Sequence, residues 1–347
     1  MGSFAEKPLI QLTLARIREF GREPEAIFWT FFFPIVMALG LGIAFRAKGP
    51  EPVHVGVEAG ASAETIVAAL ASEGRIEASI VEPEEAEEAL RKGKVALVVA
   101  DRAGDVVYRY DATRPESRLA RLETDAALQR AAGREDPRAI RDELVTERGS
   151  RYIDFLIPGL IGLNLLGTGL WGVGFALVRM RTNKLLKRLA ATPMNRGDFL
   201  LSFMFARLGF LAGELVTLLV VARLAFDVAI RGSVASVVAI AALGAFSFTG
   251  IGLLVASRAR TIEAVSGLMN LASLPMWILS GVFFSADHFP NVVQPLIRIL
   301  PLTAVVDALR AVMIDGAPLL ATAGSLAVVA GWGIASFAVA LAIFRWK

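Results

Sequence analysis

The sequence of 347 residues contains no cysteine and only two histidines. Without cysteine, the chain can form no disulfide and has no thiol chemistry. It also lacks the P-loop pattern of glycines followed by Lys and Ser or Thr, so we expect it not to bind ATP by itself. Spacing identifies no paired histidines and no arrangement of Ser, His and carboxylate. We therefore predict no catalytic residue, no metal site and no cofactor bound by this chain.

Charged residues are scarce in much of the chain, where long apolar runs take their place. Apolar residues make up 55% of the sequence and charged residues 20%. Six runs approach or exceed the roughly 20 residues that cross a bilayer as a helix. The predicted spans are 27–45, 153–178, 199–226, 234–257, 264–284 and 319–344. This layout predicts a membrane protein with an all-α transmembrane domain of six helices, of which the last five lie within 152–347.

The polar segment 46–151 alternates between strand and helix patterns. Strands are predicted at 53–57, 76–81, 95–100 and 106–110, and helices at 63–72, 84–92, 115–132 and 137–147. About 100 residues are enough for a small domain with its own core. We predict an α/β domain inserted after the first span.

Basic residues are concentrated in the loops on one side of the predicted membrane domain. With a cytoplasmic N-terminus, the inner loops hold Lys7, Arg16, Arg18, Arg22, Arg179, Arg181, Lys184, Lys187, Arg188, Arg196, Arg258, Arg260, Arg345 and Lys347. The short outer loops hold only Arg231, Arg298 and Arg310. The positive-inside rule then predicts that both termini are cytoplasmic and that 46–151 is extracytoplasmic. Because topology accounts for the net charge of +3, we expect membrane lipid and not nucleic acid as a partner.

The segment before the first span has the periodicity of an amphipathic helix. Its apolar face is formed by Leu9, Ile10, Thr13, Leu14, Ile17 and Phe20. Such a helix, within the predicted cytoplasmic segment 1–26, lies either in the inner membrane interface or against the protein's own cytosolic side.

The loop 179–198 contains a second, shorter amphipathic pattern. It combines Leu185, Leu186 and Leu189 with Lys184, Lys187 and Arg188, and it ends at Thr192 and Pro193. A helix of this size fits a groove on another protein. A basic loop beside a span also sets topology. From the residues alone, the loop is either a docking element or a topogenic signal.

This loop resembles the coupling helix of type-2 ATP-binding-cassette (ABC) exporter permeases, which docks on the ATPase. The stretch LKRLAATP at 186–193 is similar to the family pattern, with Lys187 where glutamate is frequent. Four further stretches resemble the same family, in particular the subgroup with a large extracytoplasmic domain after the first span. They are REPEAIFWTFFFP, VHVGVE, EEAEEALRKGKVALVVA and LPMWILSGVFFSADHFPNVVQPLIRILPLTAVVDALR.

The resemblance implies a function and a set of partners. The chain would be the permease subunit of an exporter in a bacterial inner membrane, moving an amphipathic, drug-like or lipid-linked substrate outward. It would work as a dimer with a second permease chain, the same or homologous. Two copies of a cytosolic ATPase subunit would bind ATP and Mg and supply the energy.

The segment 285–316 is broken by Pro290, Pro295 and Pro301. Its apolar part, 292–300, is too short to cross a bilayer, and the resemblance implies that it dips into the outer leaflet and returns. Asp307 and Arg310, three residues apart, are predicted to pair on one helical face.

Three polar residues lie deep in predicted spans: Asn164, Glu214 and Asn270. They are candidates for the substrate pathway, and the alternative is hydrogen bonding between helices. A charge at this depth is costly, so Glu214 should face protein or water. A proton-coupled secondary transporter with Glu214 as the carrier is the alternative function. The glycines at 159, 162, 167, 169, 172 and 174 are predicted to allow close helix packing, within the chain or across a dimer seam, and the alternative is that they line a transport route.

Overall fold

A computed structural model describes residues 8–45, 52–72, 74–102, 105–134, 151–192 and 195–344. The helix predicted at 137–147 and the site residue Pro193 lie outside these residues. The chain divides into two compact units. One comprises Met1–Arg46 and Thr146–Lys347, and the other comprises Ala47–Val145.

The first unit is helical, and the prediction of six apolar helices is confirmed. An N-terminal helix, α1 (Pro8–Phe20), precedes them. The six helices long and apolar enough to span a membrane, in the part of the chain described, are α2 (Pro24–Ala44), α6 (Tyr152–Thr182), α8 (Arg196–Phe226), α9 (Val234–Ala256), α10 (Ile262–Leu279) and α13 (Leu319–Ile343). A short helix, α7 (Leu185–Ala190), lies between α6 and α8.

Two helix ends differ from the predicted bounds for local reasons. Helix α10 ends at Leu279, five residues before the predicted end, because Gly281 adopts a φ of +69° that interrupts the helix. Helix α8 begins at Arg196, where the side chain of Asn195 accepts a hydrogen bond of 3.0 Å from the backbone N–H of Gly197. Asn195 therefore caps one of the free N–H groups of the first turn.

Helix α9 lies at the centre of the helical core and packs closely on two neighbours. A Cβ atom on Gly252 would approach the carbonyl oxygen of Gly169 in α6 to 2.6 Å. On Gly250, a Cβ atom would approach the carbonyl oxygen of Gly333 in α13 to 3.0 Å. Small residues at these contacts let the backbones come together, as in other membrane helix bundles.

Helices α2 and α6 each contain a π-helical segment, at Phe28–Phe32 and Gly167–Gly172 respectively. The glycines of α6 fall into two groups according to the space around them. Added Cβ atoms on Gly159, Gly162, Gly169 and Gly174 would meet neighbouring atoms at 1.7–2.7 Å, whereas those on Gly167 and Gly172 would meet nothing within 4 Å. Close packing within the chain is therefore seen at four of these six glycines, whereas Gly167 and Gly172 face open space within it. Short π segments are frequent at functional sites.

Two further helices follow α10, namely α11 (Gln294–Ile299) and α12 (Pro301–Met313), after a single 3-10 turn at Ala286–His288. Each is shorter than a membrane span. The side chain of Arg310 does not turn to Asp307 as predicted. It donates to the backbone oxygen of Gly281 at 2.6 Å and stacks on the ring of Phe155, 3.5 Å from its centroid.

The second unit contains the small sheet that the alternating pattern predicts. Its strands are β1 (Val53–Glu58), β2 (Ile76–Val81), β3 (Leu97–Arg102) and β4 (Asp105–Arg109), and its helices are α3 (Ala63–Ala71), α4 (Pro83–Arg91) and α5 (Pro115–Ala131). The order is β2-β1-β3-β4, with β1 parallel to β2 and β3 and with β4 antiparallel to β3. Strand β3 begins two residues later than predicted, and Val95, just before it, packs with Val98 of the strand against Ala86 and Ala89 of α4 in a separate small core.

We predict that Gly252→Ala destabilises the helical unit, although alanine is the better helix former. The added Cβ has no room beside Gly169, and such overpacking typically costs about 1–3 kcal/mol. The melting temperature of the purified chain in detergent measures this. Gly331→Ala in α13 is the matched control, because its Cβ would meet nothing within 4 Å. Equal melting temperatures for the two variants would contradict the close contact.

Candidate functional site

A cavity of about 980 Å³ lies within the helical unit, among α1, α2, α6, α8 and α10. Its size is at the upper end of the roughly 300–1,000 Å³ that small-molecule pockets occupy. The three polar residues singled out in the sequence, Asn164, Glu214 and Asn270, all line it. Much of its wall is aromatic, formed by Phe20, Trp29, Phe33, Trp171, Phe175, Phe203, Phe210, Trp277 and Phe283. Gly167 and Gly172 of the second π segment also line it.

A buried ion pair forms part of this wall. Arg207 donates two hydrogen bonds of 2.8 Å to the two carboxylate oxygens of Glu214. The side chains are only 4% and 3% exposed. Both residues belong to α8 and lie seven positions apart, so two turns of the helix place them on one face. Arg207 is not among the site residues predicted from the sequence, although a second charge two turns before Glu214 in an apolar run is a visible signal.

Asn164 connects this pair to two other helices. Its side-chain amide donates to Oε2 of Glu214 at 3.3 Å and to the backbone oxygen of Thr30 at 3.4 Å. Thr30 lies in the π segment of α2, Asn164 in α6 and Glu214 in α8. The cluster therefore joins three helices, and the contacts of Asn164 are those of interhelical hydrogen bonding.

Helix α1 packs against α8 through a buried arginine. The Arg16 side chain donates to Oγ of Ser202 at 2.9 Å and lies over the ring of Phe203, 3.2 Å from its centroid. Burial lowers the pKa of Arg16 to about 9, and the charge of Glu19 opposes that shift. These contacts are the ones expected if α1 packs on the protein itself.

The segment that resembles a coupling helix folds as α7. Lys184 precedes it with a φ of +58°, which turns the chain sharply after α6. Leu186 is 1% exposed and packs inward, whereas Lys187 and Arg188 are exposed. Leu185 is 36% exposed and Leu189 is half-buried. The hydroxyl of Thr192 donates to the backbone oxygen of Leu189 at 2.6 Å and closes the last turn.

The end of α6 beside α7 is tied to two other parts of the helical unit. Arg179 forms an ion pair of 2.6 Å with Glu23, and both residues line the cavity. Arg181 donates to the backbone oxygens of Ala256 and Ser257 at 2.9 Å, at the end of α9. The basic residues here therefore connect helices in addition to any effect on topology.

Comparison with known proteins identifies the family. The model of the ABC-2 family transporter proteins matches residues 24–342, which is nearly the whole chain. The chain therefore belongs to this family, whose members are the membrane subunits of ABC transporters. Accordingly it is a multi-pass ABC transporter permease.

Individual relatives are distant. Nodulation protein J of Rhizobium meliloti (strain 1021) is 26% identical over 57% of this chain and 75% of its own length. The probable multidrug ABC transporter permease YbhS of Escherichia coli (strain K12) is 27% identical over 47% of this chain and 43% of its length. ABC transporter G family member 20 of Dictyostelium discoideum is 26% identical over 48% of this chain and 23% of its length. The chain thus aligns with less than half of two of these relatives.

We predict that Arg207 and Glu214 stabilise the helical unit only when both side chains are present. Arg207→Leu leaves the Glu214 carboxylate buried without its partner, and removing one member of such a pair costs roughly 3–5 kcal/mol. The double variant Arg207→Leu/Glu214→Leu should lose less stability than either single variant. A double-mutant cycle of thermal unfolding in detergent measures the coupling.

The control is the exposed pair of Arg223, in the last turn of α8, and Asp227, the residue after the helix, with side chains 55% and 54% exposed. Arg223→Leu should change stability by less than about 1 kcal/mol. Additive losses for the Arg207 and Glu214 variants would mean that the buried pair contributes no coupling.

Proposed function

We propose that this permease is the membrane subunit of an exporter, in which the cavity carries an amphipathic, drug-like or lipid-linked substrate outward. The observation that supports this most directly is the cavity itself, because it is large, mostly apolar and lined by residues of four apolar helices. ATP and Mg bind to the separate ATPase subunit, and two ATPase copies act on two permease chains, the same or homologous.

Helix α7 is the coupling helix of this proposal. Leu186 anchors it to the core, while Lys187 and Arg188 remain exposed for a partner. It lies in the chain directly between α6 and α8, and both of these helices line the cavity. A push on α7 by the ATPase is therefore delivered to two walls of the cavity at once.

We predict that Lys187→Glu/Arg188→Glu abolishes ATPase co-purification and ATP-dependent transport, because both exposed charges reverse. Leu189 stays unchanged, since it is half-buried. The matched control is Arg91→Glu/Lys92→Glu, which reverses an adjacent exposed basic pair on α4 and its C-cap in the other unit. Co-purification and transport at wild-type levels in the α7 variant would show that α7 is not the coupling helix.

The geometry gives little support to the alternative function, a proton-coupled transporter in which Glu214 carries the proton. The carboxylate of Glu214 is held by two hydrogen bonds from Arg207 in a nearly fully buried site. Each cycle of protonation would have to break this pair, and breaking a buried ion pair is strongly unfavourable. The family membership also points to an ATPase as the source of energy.

The proposed location is the bacterial inner membrane, with cytoplasmic termini and the α/β unit outside. The absence of cysteine makes this testable with single introduced cysteines. A membrane-impermeant maleimide should label Lys92→Cys in intact spheroplasts and should label Arg258→Cys only after permeabilisation. Both positions are exposed. Labelling of Arg258→Cys in intact spheroplasts, with Lys92→Cys protected, would invert the proposed topology.

A further inference from the structure

The charges that line the cavity do not cancel. The acidic lining residues are Glu19, Glu23, Glu25 and Glu214, and the basic ones are Arg16, Arg179 and Arg207. Glu23 is paired with Arg179 at 2.6 Å, and Glu214 is paired with Arg207 at 2.8 Å. These two pairs leave one arginine and two glutamates.

The remaining arginine is buried within the cavity wall. The guanidinium of Arg16 lies over the ring of Phe203 and donates to Ser202, and the residue is only 8% exposed. Glu19 and Glu25, in contrast, are exposed. Among the described residues, no side chain forms an ion pair with the carboxylate of Glu25. Arg16 still compensates the charge of Glu19, so the exposed charge of the cavity wall that has no opposite charge is the carboxylate of Glu25.

Aromatic pairs stand beside this charge on two helices. In α2, the ring centroids of Trp29 and Phe33 are 4.9 Å apart, and Glu25 lies one turn before Trp29. In α6, the ring centroids of Trp171 and Phe175 are 5.5 Å apart. All of these residues line the cavity. Trp29 is 60% exposed, so its π face is open to a ligand.

The two π segments contribute to this arrangement. Trp29 lies within the first segment and Trp171 within the second. Gly172, next to Trp171, has nothing within 4 Å of an added Cβ. No side chain therefore fills the space directly beside this indole at Gly172.

We propose that the cavity binds a lipophilic organic cation, with its charge near Glu25 and its apolar groups among the aromatic pairs. A cation within about 6 Å of a ring centroid is attracted to the π face, and aromatic cages recognise quaternary ammonium groups in this way. An anion of the same size would instead be repelled by the carboxylate of Glu25. This inference rests on the proposed transport function and specifies its substrate class.

The test compares two probes of similar size and opposite charge on the purified full-length chain in detergent. Equilibrium binding of radiolabelled tetraphenylphosphonium and of tetraphenylborate is measured, with uptake by protein-free micelles subtracted. The cation should bind at least tenfold more tightly than the anion. Glu25→Gln and Trp29→Leu should each raise the Kd of the cation about threefold to fivefold, the range of partly exposed ion pairs and cation–π contacts.

Three controls make the result specific. Glu263→Gln removes an exposed carboxylate from the first turn of α10, and Phe205→Leu removes an exposed aromatic ring from α8. Neither residue lines the cavity, so both variants should bind as the wild type does. Glu25→Asp keeps the carboxylate and should retain binding, which shows that a loss in Glu25→Gln is not a loss of fold.

Equal or tighter binding of tetraphenylborate would overturn the inference, as would no binding of either probe by the wild type. Unchanged cation binding in Glu25→Gln and Trp29→Leu, or equal losses in Glu25→Gln and Glu25→Asp, would overturn it too. The assay needs no ATPase. Failure to co-purify an ATPase would therefore contradict the proposed function and leave cation binding intact, whereas reversed charge preference would contradict the substrate class alone.

Discussion

A helix bundle in hydrocarbon must satisfy its polar groups internally, and the cluster of Arg207, Glu214 and Asn164 shows how this chain does so. Arg207 and Glu214 neutralise each other within α8, so the helix buries one ion pair and not two separate charges. Asn164 then uses the remaining acceptor capacity of Glu214 and reaches the backbone of α2. The orientation of three helices around the cavity thus depends on one neutral polar cluster.

Close backbone contacts provide the complementary constraint on the other side of α6. Glycines fix the approach of α6 to α9, because any side chain at Gly169 or Gly252 would separate the two backbones. The same helix has open space at Gly167 and Gly172. One face of α6 is therefore held rigidly against the core, and the other leaves room beside the cavity. Packing on one face is what keeps the cavity wall in place on the other.

The elements that sequence alone predicts are those with a strong one-dimensional signal. Twenty apolar residues in a row, or strict alternation along a strand, leave few other structures. The polar contacts between helices depend on local helix geometry, and the regular helical period of 3.6 residues does not predict that geometry. The hydrogen bond from Asn164 reaches Thr30 within the π segment of α2, and nothing in the letters FWTFF indicates an extra residue in that turn. The six glycines of α6 look alike in sequence, but only the helix rotation separates packing positions from cavity positions.

The connection between α7 and the cavity follows from the same rigid contacts. Arg181 fixes the end of α6 to the end of α9, while Arg179 reaches across to Glu23 before α2. A displacement of α7 therefore cannot move the end of α6 without straining either the α9 contact or the Glu23 pair. The ion pair with Glu23 is the more exposed of the two, with side chains 54% and 39% exposed, and exposed pairs are weak. In the proposed transport cycle this pair breaks first, and its rupture frees both the carboxylate of Glu23 and the guanidinium of Arg179 at the cavity while the α6–α9 contact persists.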